Sequence, residues 1–353
     1  MLQDDISPIT DLESKLLLQY TNQSATNEQL IPELISLIHS KGWFRALIDD
    51  TSWQHPVSLP ELLALEEALA RIDGSLGWTV TLCSGAGWFA GFTAEQTRKE
   101  FFSGPEVCIA GSGAVGGKAE VTEGGYIISG YWKYATGAPY ATAFTGNCTT
   151  GTGEVLAFLF KKEEITLHQT WNSIGMTATA SHAFSVEALF LPASRAFRIA
   201  PEYATHPHPI YQYPFLQLAD TTLSINMAGM ARHFLDLSYA VFFSEEFALK
   251  NGDLRAGQIR AAWISQHNLL LTTKHNFYTS VHRSWEVCEQ GQKLNDALLE
   301  AVSARSLALA KTARDVVTNL FPYGGLSFAD KAQLINRIWR DINTAGQHSL
   351  LVR

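Results

Sequence analysis

The sequence predicts an α+β chain in three zones: an N-terminal α-helical domain over residues 1–104, a central antiparallel β-barrel or sandwich over 105–200, and a C-terminal four-helix bundle over 201–353. Three observations carry this. Apolar residues recur at helical spacing as far as Phe102. The period changes at Pro105, after which β-branched and aromatic runs alternate with glycine-rich turns until Pro192. Long helical stripes return from Phe215 onward. A chain of 353 residues has room for two or three domains at the usual ~100–200 residues each.

Each zone follows from its residues. In NEQLIPELISLIHSKGWFRALI, Leu30, Leu34, Leu37 and Ile38 share one helical face. LPELLALEEALARI reads as the next helix and stops at Asp73-Gly74. SLGWTVTLCSGAGWFAGF has almost no polar face, so it must lie in the middle of a helical domain. TAEQTRKEFF, with Glu95 near its start, is a further short helix. The strands expected next are CIAGSG, KAEVTE, YIISGYWKYAT, TAFTGNCTT, EVLAFLF and SHAFSVEALFLP. Their turns are assigned to Gly116-Gly117, Gly124-Gly125 and Gly151-Thr152-Gly153. In the last zone ALLEAVSARSLALAKTARDVVTNLF places Leu298, Val302, Leu309, Ala313, Val316 and Leu320 on one stripe, and a final helix covers about Ala329 to Leu350. Four long helices with short joins predict an up-down-up-down bundle.

Composition excludes several classes. Net charge is −8, from 26 basic and 34 acidic residues, with no basic run, which argues against nucleic acid or an anionic membrane as partner. No apolar segment approaches the ~18 residues of a membrane span. MLQDDISPITDLESK reads as neither a secretory signal nor an Arg-rich transit peptide. The four cysteines are widely spaced, with no C-x-x-C, and read as reduced thiols of a cytoplasmic protein. The histidines lack metal spacing, so no metal site is expected.

GSGAVG, from Gly111 to Gly116, fits the dinucleotide pattern G-x-G-x-x-G. That fingerprint works only where a strand turns into a helix, because the phosphates sit on the helix N-terminus. Here KAEVTEGGYIISGYWKY follows, with strand composition and no acidic residue about 20 positions on. The Rossmann reading therefore fails, and the glycines need another role.

Four segments in order supply one. LEEALARIDGSLGWTV, GGYIISGYWKYATGA, WNSIGMTATASHAFSVEALFLP, and FPYGGLSF followed by INRIWRD resemble the acyl-CoA dehydrogenase superfamily over nearly the whole chain. The resemblance implies a flavin, FAD or FMN, lying between the β-domain and the bundle. It implies contacts from Ala110, Ser112 and Gly113 on one strand and from Tyr134, Ala135 and Thr136 on the next, with Ser181, Gly324 and Gly325 also at the cofactor. Bare backbone at a glycine would approach a flat ring without side-chain collision. Trp88, Phe89 and Trp132 are expected to line the substrate pocket, and a homotetramer is implied.

The family's dehydrogenases take a proton from the carbon alpha to a thioester with a Glu. Downstream of Arg340-Asp341 this chain reads AGQHSLLVR, with no Glu, and the alternative position in QLADTT offers only Asp220. The superfamily's flavin-dependent monooxygenases receive reduced flavin from a separate reductase and typically end in RD…A-x-x-H, which WRDINTAGQHSLL fits better. His348 would then deprotonate a phenol or steady the oxygen bound at the flavin. Two other histidine positions of that branch are missing: CSGAGWFAGF has Ala86 or Gly87, and TGAPY lacks the Asp-His pair. His182 reads as a solvated strand residue. The sequence thus favours a flavin-dependent monooxygenase acting on a small organic substrate. A dehydrogenase with Asp220 as base and a degenerate, non-redox binding member remain as alternatives.

Overall fold

The computed structural model describes residues 8–49 and 56–353. The chain opens with a helix that periodicity does not reveal, α1 (Asp11–Asn27), because only Leu17, Thr21 and Ser24 are buried on it. A reciprocal cap fixes its start: Glu13 N–H donates to Thr10 Oγ1 at 3.3 Å and Thr10 N–H donates to Glu13 Oε2 at 2.9 Å. Pro32 opens α2 (Pro32–Ser40), where its missing N–H does no harm. Helix α3 (Leu59–Ile72) ends at Asp73, whose carboxylate accepts Leu76 N–H at 3.0 Å and so starts α4 (Gly74–Gly87) directly. Helix α4 is buried on nearly every side, as its lack of a polar face requires. The short α5 (Glu95–Phe102) completes the zone.

The strands are β1 (Ile109–Thr122), β2 (Gly125–Ala135), β3 (Ala143–Thr150), β4 (Val155–Lys161), β5 (Thr166–His168), β6 (His182–Pro192) and β7 (Ala196–Phe197). They form one sheet in the order β5-β6-β2-β1-β3-β4-β7, which does not close. Two expectations are corrected here. The sheet is mixed rather than purely antiparallel, since β1 and β3 run parallel. CIAGSG and KAEVTE are one long strand, with no turn at Gly116-Gly117. Those glycines make room for Trp132: a Cβ at Gly116, Gly117, Gly130 or Gly146 would lie 2.5–2.7 Å from its indole or from the neighbouring main chain. Trp132 is therefore core rather than pocket. It stacks on Phe184 at 4.9 Å between ring centroids and donates to Asn147 O at 3.0 Å.

The last zone holds α6 (Phe215–Phe242), α7 (Glu245–Asn251), α8 (Asp253–Glu289), α9 (Asp296–Leu320), α10 (Leu326–Ala329) and α11 (Leu334–Ala345). Helices α6, α8, α9 and α11 are the four of the expected bundle, and α11 is shorter than the sequence suggests. A continuous apolar core joins α3 and α4 to the bundle, while the sheet has its own core around Trp132, Phe144, Phe158 and Phe184. None of the described helices is long and apolar enough to cross a membrane.

Candidate active site

Strands β1 and β2 pair only from Gly117–Gly130 to Thr122–Gly125. Toward their other ends β1 stays with β3 and β2 with β6, so the two strands part. Both are also irregular there. Gly113 and Ala114 are skipped in the pairing with β3, and Lys133 and Tyr134 in the pairing with β6. Such bulges re-aim a strand end and expose main chain. Tyr134 takes a positive φ of 65°, an unusual conformation for a bulky residue.

A cavity of about 1190 Å³ opens against these parted ends. Its other walls come from α3 and α4, the N-terminal turns of α6, residues 170–181, and the C-terminal stretch from Trp339 to Leu350. Ser112, Gly113, Tyr134, Thr136, Ser181, Phe89 and His348 all line it. Seven of the sequence-named site residues thus meet in one place. A Cβ added to Gly113 would touch nothing within 4 Å, so that wall is bare backbone facing open space.

The remaining named residues do not line the cavity. Ala110 and Ala135 are buried in the sheet, their side chains in its core. Trp88 is fully buried and donates to Ile210 O at 2.8 Å, packing α4's end onto the loop before α6. Asp220 lies between the lining residues Ala219 and Thr222 but turns the other way. It accepts from Ser303 Oγ at 2.7 Å and from Arg353. Gly324 and Gly325 form the turn after α9, where Gly325 has φ 59°, away from this cavity. His182 is half-buried, and its Nδ1 accepts Trp171 N–H at 3.1 Å.

Hydroxyl groups form an oriented chain at the strand end. Thr179 Oγ1 donates to Met176 O at 2.8 Å, so it accepts from Ser181 Oγ, 2.8 Å away. Ser181 in turn accepts from Thr136 Oγ1 at 2.9 Å. The one proton of each hydroxyl is thereby spent, and Thr136 is left with a lone pair for the cavity. The C-terminal stretch of the wall offers the complement. His348 Nδ1 accepts Leu350 N–H at 3.3 Å, and burial lowers the imidazole's pKa. The ring is therefore neutral, carries its proton on Nε2, and presents a donor. Trp78 meets it edge-on at 5.9 Å between centroids.

The segment WNSIGM is held to α11 by the Arg-Asp pair. Arg340 Nη1 donates to Ile174 O at 2.6 Å, and Asp341 Oδ1 accepts Met176 N–H at 2.5 Å. Between them Gly175 is pressed on the helix backbone, where a Cβ would lie 2.3 Å from the Arg340 carbonyl. Burial first, then the nearby Asp73 carboxylate, raises Asp341 to about 7.

Sequence reasoning missed Trp78, Thr81, Trp171 and Glu66 among the lining residues. For Glu66 a signal exists. The buried face of α3 is Leu59, Leu62, Leu63, Glu66, Leu69 and Ala70, so a carboxyl occupies the apolar stripe.

The helices, the open sheet and the cleft between them define a protein of acyl-CoA dehydrogenase architecture. Comparison with known proteins bears this out. A family model described as the acyl-CoA dehydrogenase C-terminal domain matches residues 221–353. Indole-3-acetate monooxygenase of Acinetobacter baumannii is 24% identical, over 94% of this chain and 86% of its own. The oxygenase subunit HsaA, a flavin-dependent monooxygenase of Mycobacterium tuberculosis, is 23% identical over 98% and 92%. The crystal structure of 3-HSA hydroxylase from Rhodococcus sp. RHA1 superposes with a TM-score of 0.88, at 18% identity, covering 97% of this chain and 91% of that one. The chain thus shares the acyl-CoA dehydrogenase fold, and it is similar to flavin-dependent monooxygenases along most of its length.

Proposed function

We propose that the chain is the oxygenase component of a two-component flavin-dependent monooxygenase acting on a small aromatic substrate. Reduced flavin comes from a separate reductase. The observation that carries this reading is the oriented hydroxyl run ending at Thr136. Its lone pair faces the cavity and suits an N–H of a reduced flavin ring, which an oxidised ring lacks at the same position.

The residues present fit the cofactor. The main chain of Ser112, Gly113 and Tyr134 would lie along the ring, and the Ala110 and Ala135 main chain would set the positions of these neighbours. Thr136, backed by Ser181 and Thr179, would accept from the ring edge. When bound, a reduced flavin supplies the activation of dioxygen for transfer of one oxygen atom. His348 holds a proton at Nε2 and donates it as a hydrogen bond into the same space. Phe89, Trp78 and Trp171 are the aromatic walls for a flat substrate and exclude water from it. The relatives' names, indole-3-acetate monooxygenase and flavin-dependent monooxygenase, support this class. A cytoplasmic location and a homotetramer are proposed on the resemblance. Gly324 and Gly325 would reach a flavin only across a contact between copies.

The dehydrogenase alternative takes Asp220 as its base, and Asp220 does not line the cavity and is engaged with Ser303 and Arg353.

The test is anaerobic titration of the protein with oxidised and reduced FMN and FAD, followed by mixing with oxygen and phenolic or indolic substrates. Reduced flavin should bind more tightly, and oxygen should appear in the product. His348→Ala should keep flavin binding while turnover falls about 10²–10⁴-fold, the usual range for a positioned proton donor. Absence of flavin binding in both redox states, or bleaching of bound flavin by an acyl-CoA, would refute the reading.

A further inference from the structure

The irregular part of β1 is held from the neighbouring strand. Gly113 and Ala114 drop out of the parallel pairing with β3, which resumes at Val115–Asn147. The Gly113 carbonyl therefore falls outside the regular ladder, and a side chain serves it instead: Asn147 Nδ2 donates to Gly113 O at 3.0 Å. Asn147 is well anchored for this. Its main-chain carbonyl accepts Trp132 Nε1 at 3.0 Å, and that indole is packed in the sheet core. Asn147 and Thr145, two residues apart on β3, both line the cavity, as alternation along a strand allows. Asn147 is only half-buried, so it keeps surface toward that space.

Peptide geometry gives this bond a consequence. A trans peptide is planar, so its C=O and N–H point in opposite directions. With Gly113 O turned to Asn147 on β3, the Ala114 N–H of the same peptide points away from β3. The neighbour of β1 on that side is β2. Continuing the β1–β2 register beyond Gly117–Gly130 would bring Lys133 opposite Ala114, but the strands have parted there, and Lys133 is itself skipped in the pairing with β6. The N–H thus faces the gap rather than a ladder partner. Ala114 is exposed and lines the cavity. Its N–H contacts Ser112 Oγ at 3.4 Å, long for a hydrogen bond, so the donor stays open to a stronger acceptor.

We propose that Asn147 is a positioning residue for the cofactor. Its amide sets the Gly113–Ala114 peptide so that the Ala114 N–H donates to a carbonyl oxygen on the edge of the flavin ring. This deepens the proposed function and rests on its flavin reading. Hydrogen bonds and charge at the ring edge tune a flavin's electronics, and a donor there favours the electron-rich reduced ring. Asn147 thereby raises the preference for reduced over oxidised flavin, although its own side chain is spent on main chain. Thr136 at the end of β2 supplies an acceptor and Ala114 on β1 a donor, so the two parted strands make unlike contributions.

The test compares Asn147→Leu with the unaltered full chain. Anaerobic titrations with oxidised and reduced FMN give the ratio of the two dissociation constants. Leucine keeps the bulk and cannot donate, so the preference for reduced FMN should fall about 10-fold or more, the scale of one hydrogen bond to a charge-bearing acceptor. The midpoint potential of the bound flavin should drop with it, by about 30 mV for each tenfold in a two-electron couple. A residue that merely supports the fold would weaken both redox forms alike. A second measurement needs no variant. 2-Thio-FMN and 4-thio-FMN each replace one ring carbonyl oxygen by sulfur, a poor acceptor. One of them should bind the unaltered chain about 5-fold less tightly than FMN, on the scale of one ordinary hydrogen bond, and that deficit should vanish in Asn147→Leu. An unchanged redox ratio in an Asn147→Leu protein whose thermal melt shows it folded, or two thio analogues that bind the unaltered chain as well as FMN does, would overturn the proposal. The two readings separate cleanly. A chain that binds FMN in neither redox state sinks the flavin reading and this inference with it, whereas FMN binding with an unmoved ratio sinks the role of Asn147 alone.

Discussion

Gly113 permits a substitution that separates folding from cofactor binding. Its φ is not in the left-handed region, and a Cβ there meets no atom within 4 Å. Gly113→Val therefore adds its branched side chain to open space and creates no clash in the ligand-free protein. Its effect on folding should stay within about 0.5 kcal/mol, with a further ~0.4–1 kcal/mol in favour from a stiffer unfolded chain. The melting temperature should move by no more than about 3 °C. The same methyls stand where a ring lying on β1 would be. Forcing extra methylenes into a filled space costs about 1–3 kcal/mol, so the flavin dissociation constant should rise about 5- to 150-fold. Gly111→Ala is the opposite control. Its Cβ would sit 2.1 Å from Thr145 Oγ1 and 3.0 Å from Thr145 O, so it should lower the melting temperature by several degrees. Calorimetry with reduced and oxidised flavin, together with thermal melts of the ligand-free variants, reads both effects. A Gly113→Val protein that melts normally and binds flavin with unchanged affinity would show that the cofactor does not rest on this strand.

Trp132→Ala should cost about 3–5 kcal/mol in a urea melt, the range for emptying a large core site. It should not alter substrate preference in whatever activity remains, because the indole lies inside the sheet. Gly175→Ala should destabilise by about 1–3 kcal/mol, since its Cβ meets Arg340 main chain at 2.3 Å and backbone yields less readily than a side chain. Glu66 governs a pH dependence. Its folded pKa, about 8, lies above the ordinary 4.5, so the folded state keeps a proton that the unfolded chain has lost. Its relative stabilisation is complete below pH 4.5 and declines as pH rises through 8, by about 1.4 kcal/mol per unit in between. Glu66→Gln should flatten the slope of stability against pH between 5 and 8 in urea melts. An unchanged slope would mean that the carboxyl is not buried in its neutral form.

How much could be read from sequence depended on what each residue answers to. The order of helices, strands and helices was legible because burial imposes a period on each element. Helix α1 was not, since its stripe is short and polar and its start is set by the local Thr10–Glu13 cap. The parallel pairing of β1 with β3 is a matter of long-range topology, and composition cannot distinguish it from an antiparallel partner. In the cavity, residues contributing main chain or a hydroxyl at the strand end were reached through motif order: Ser112, Gly113, Tyr134, Thr136 and Ser181. The aromatic assignments split by depth. Phe89 faces the cavity, while Trp88 and Trp132 face cores, and alternation along a strand fixes the face of the sheet but not what covers it.

The linked motifs have one physical basis. Ile174 O and Met176 N–H are bound to the Arg340 and Asp341 side chains, and Gly175 between them lies against the helix main chain, so the loop can seat only where a side chain is absent at Gly175. Met176 O then accepts from both Trp171 Nε1, at 2.9 Å, and Thr179 Oγ1. The first of these bonds fixes an aromatic wall of the cavity, and the second fixes the direction of the hydroxyl run to Thr136. A strand-side acceptor is thereby oriented by a helix that packs on the opposite side of the loop, and His348 follows that same helix a few residues on. The acceptor and the donor, both in the cavity wall, are held by one rigid connection. Loosening the Arg340–Asp341 contact should therefore disturb both together, even though neither residue lines the cavity.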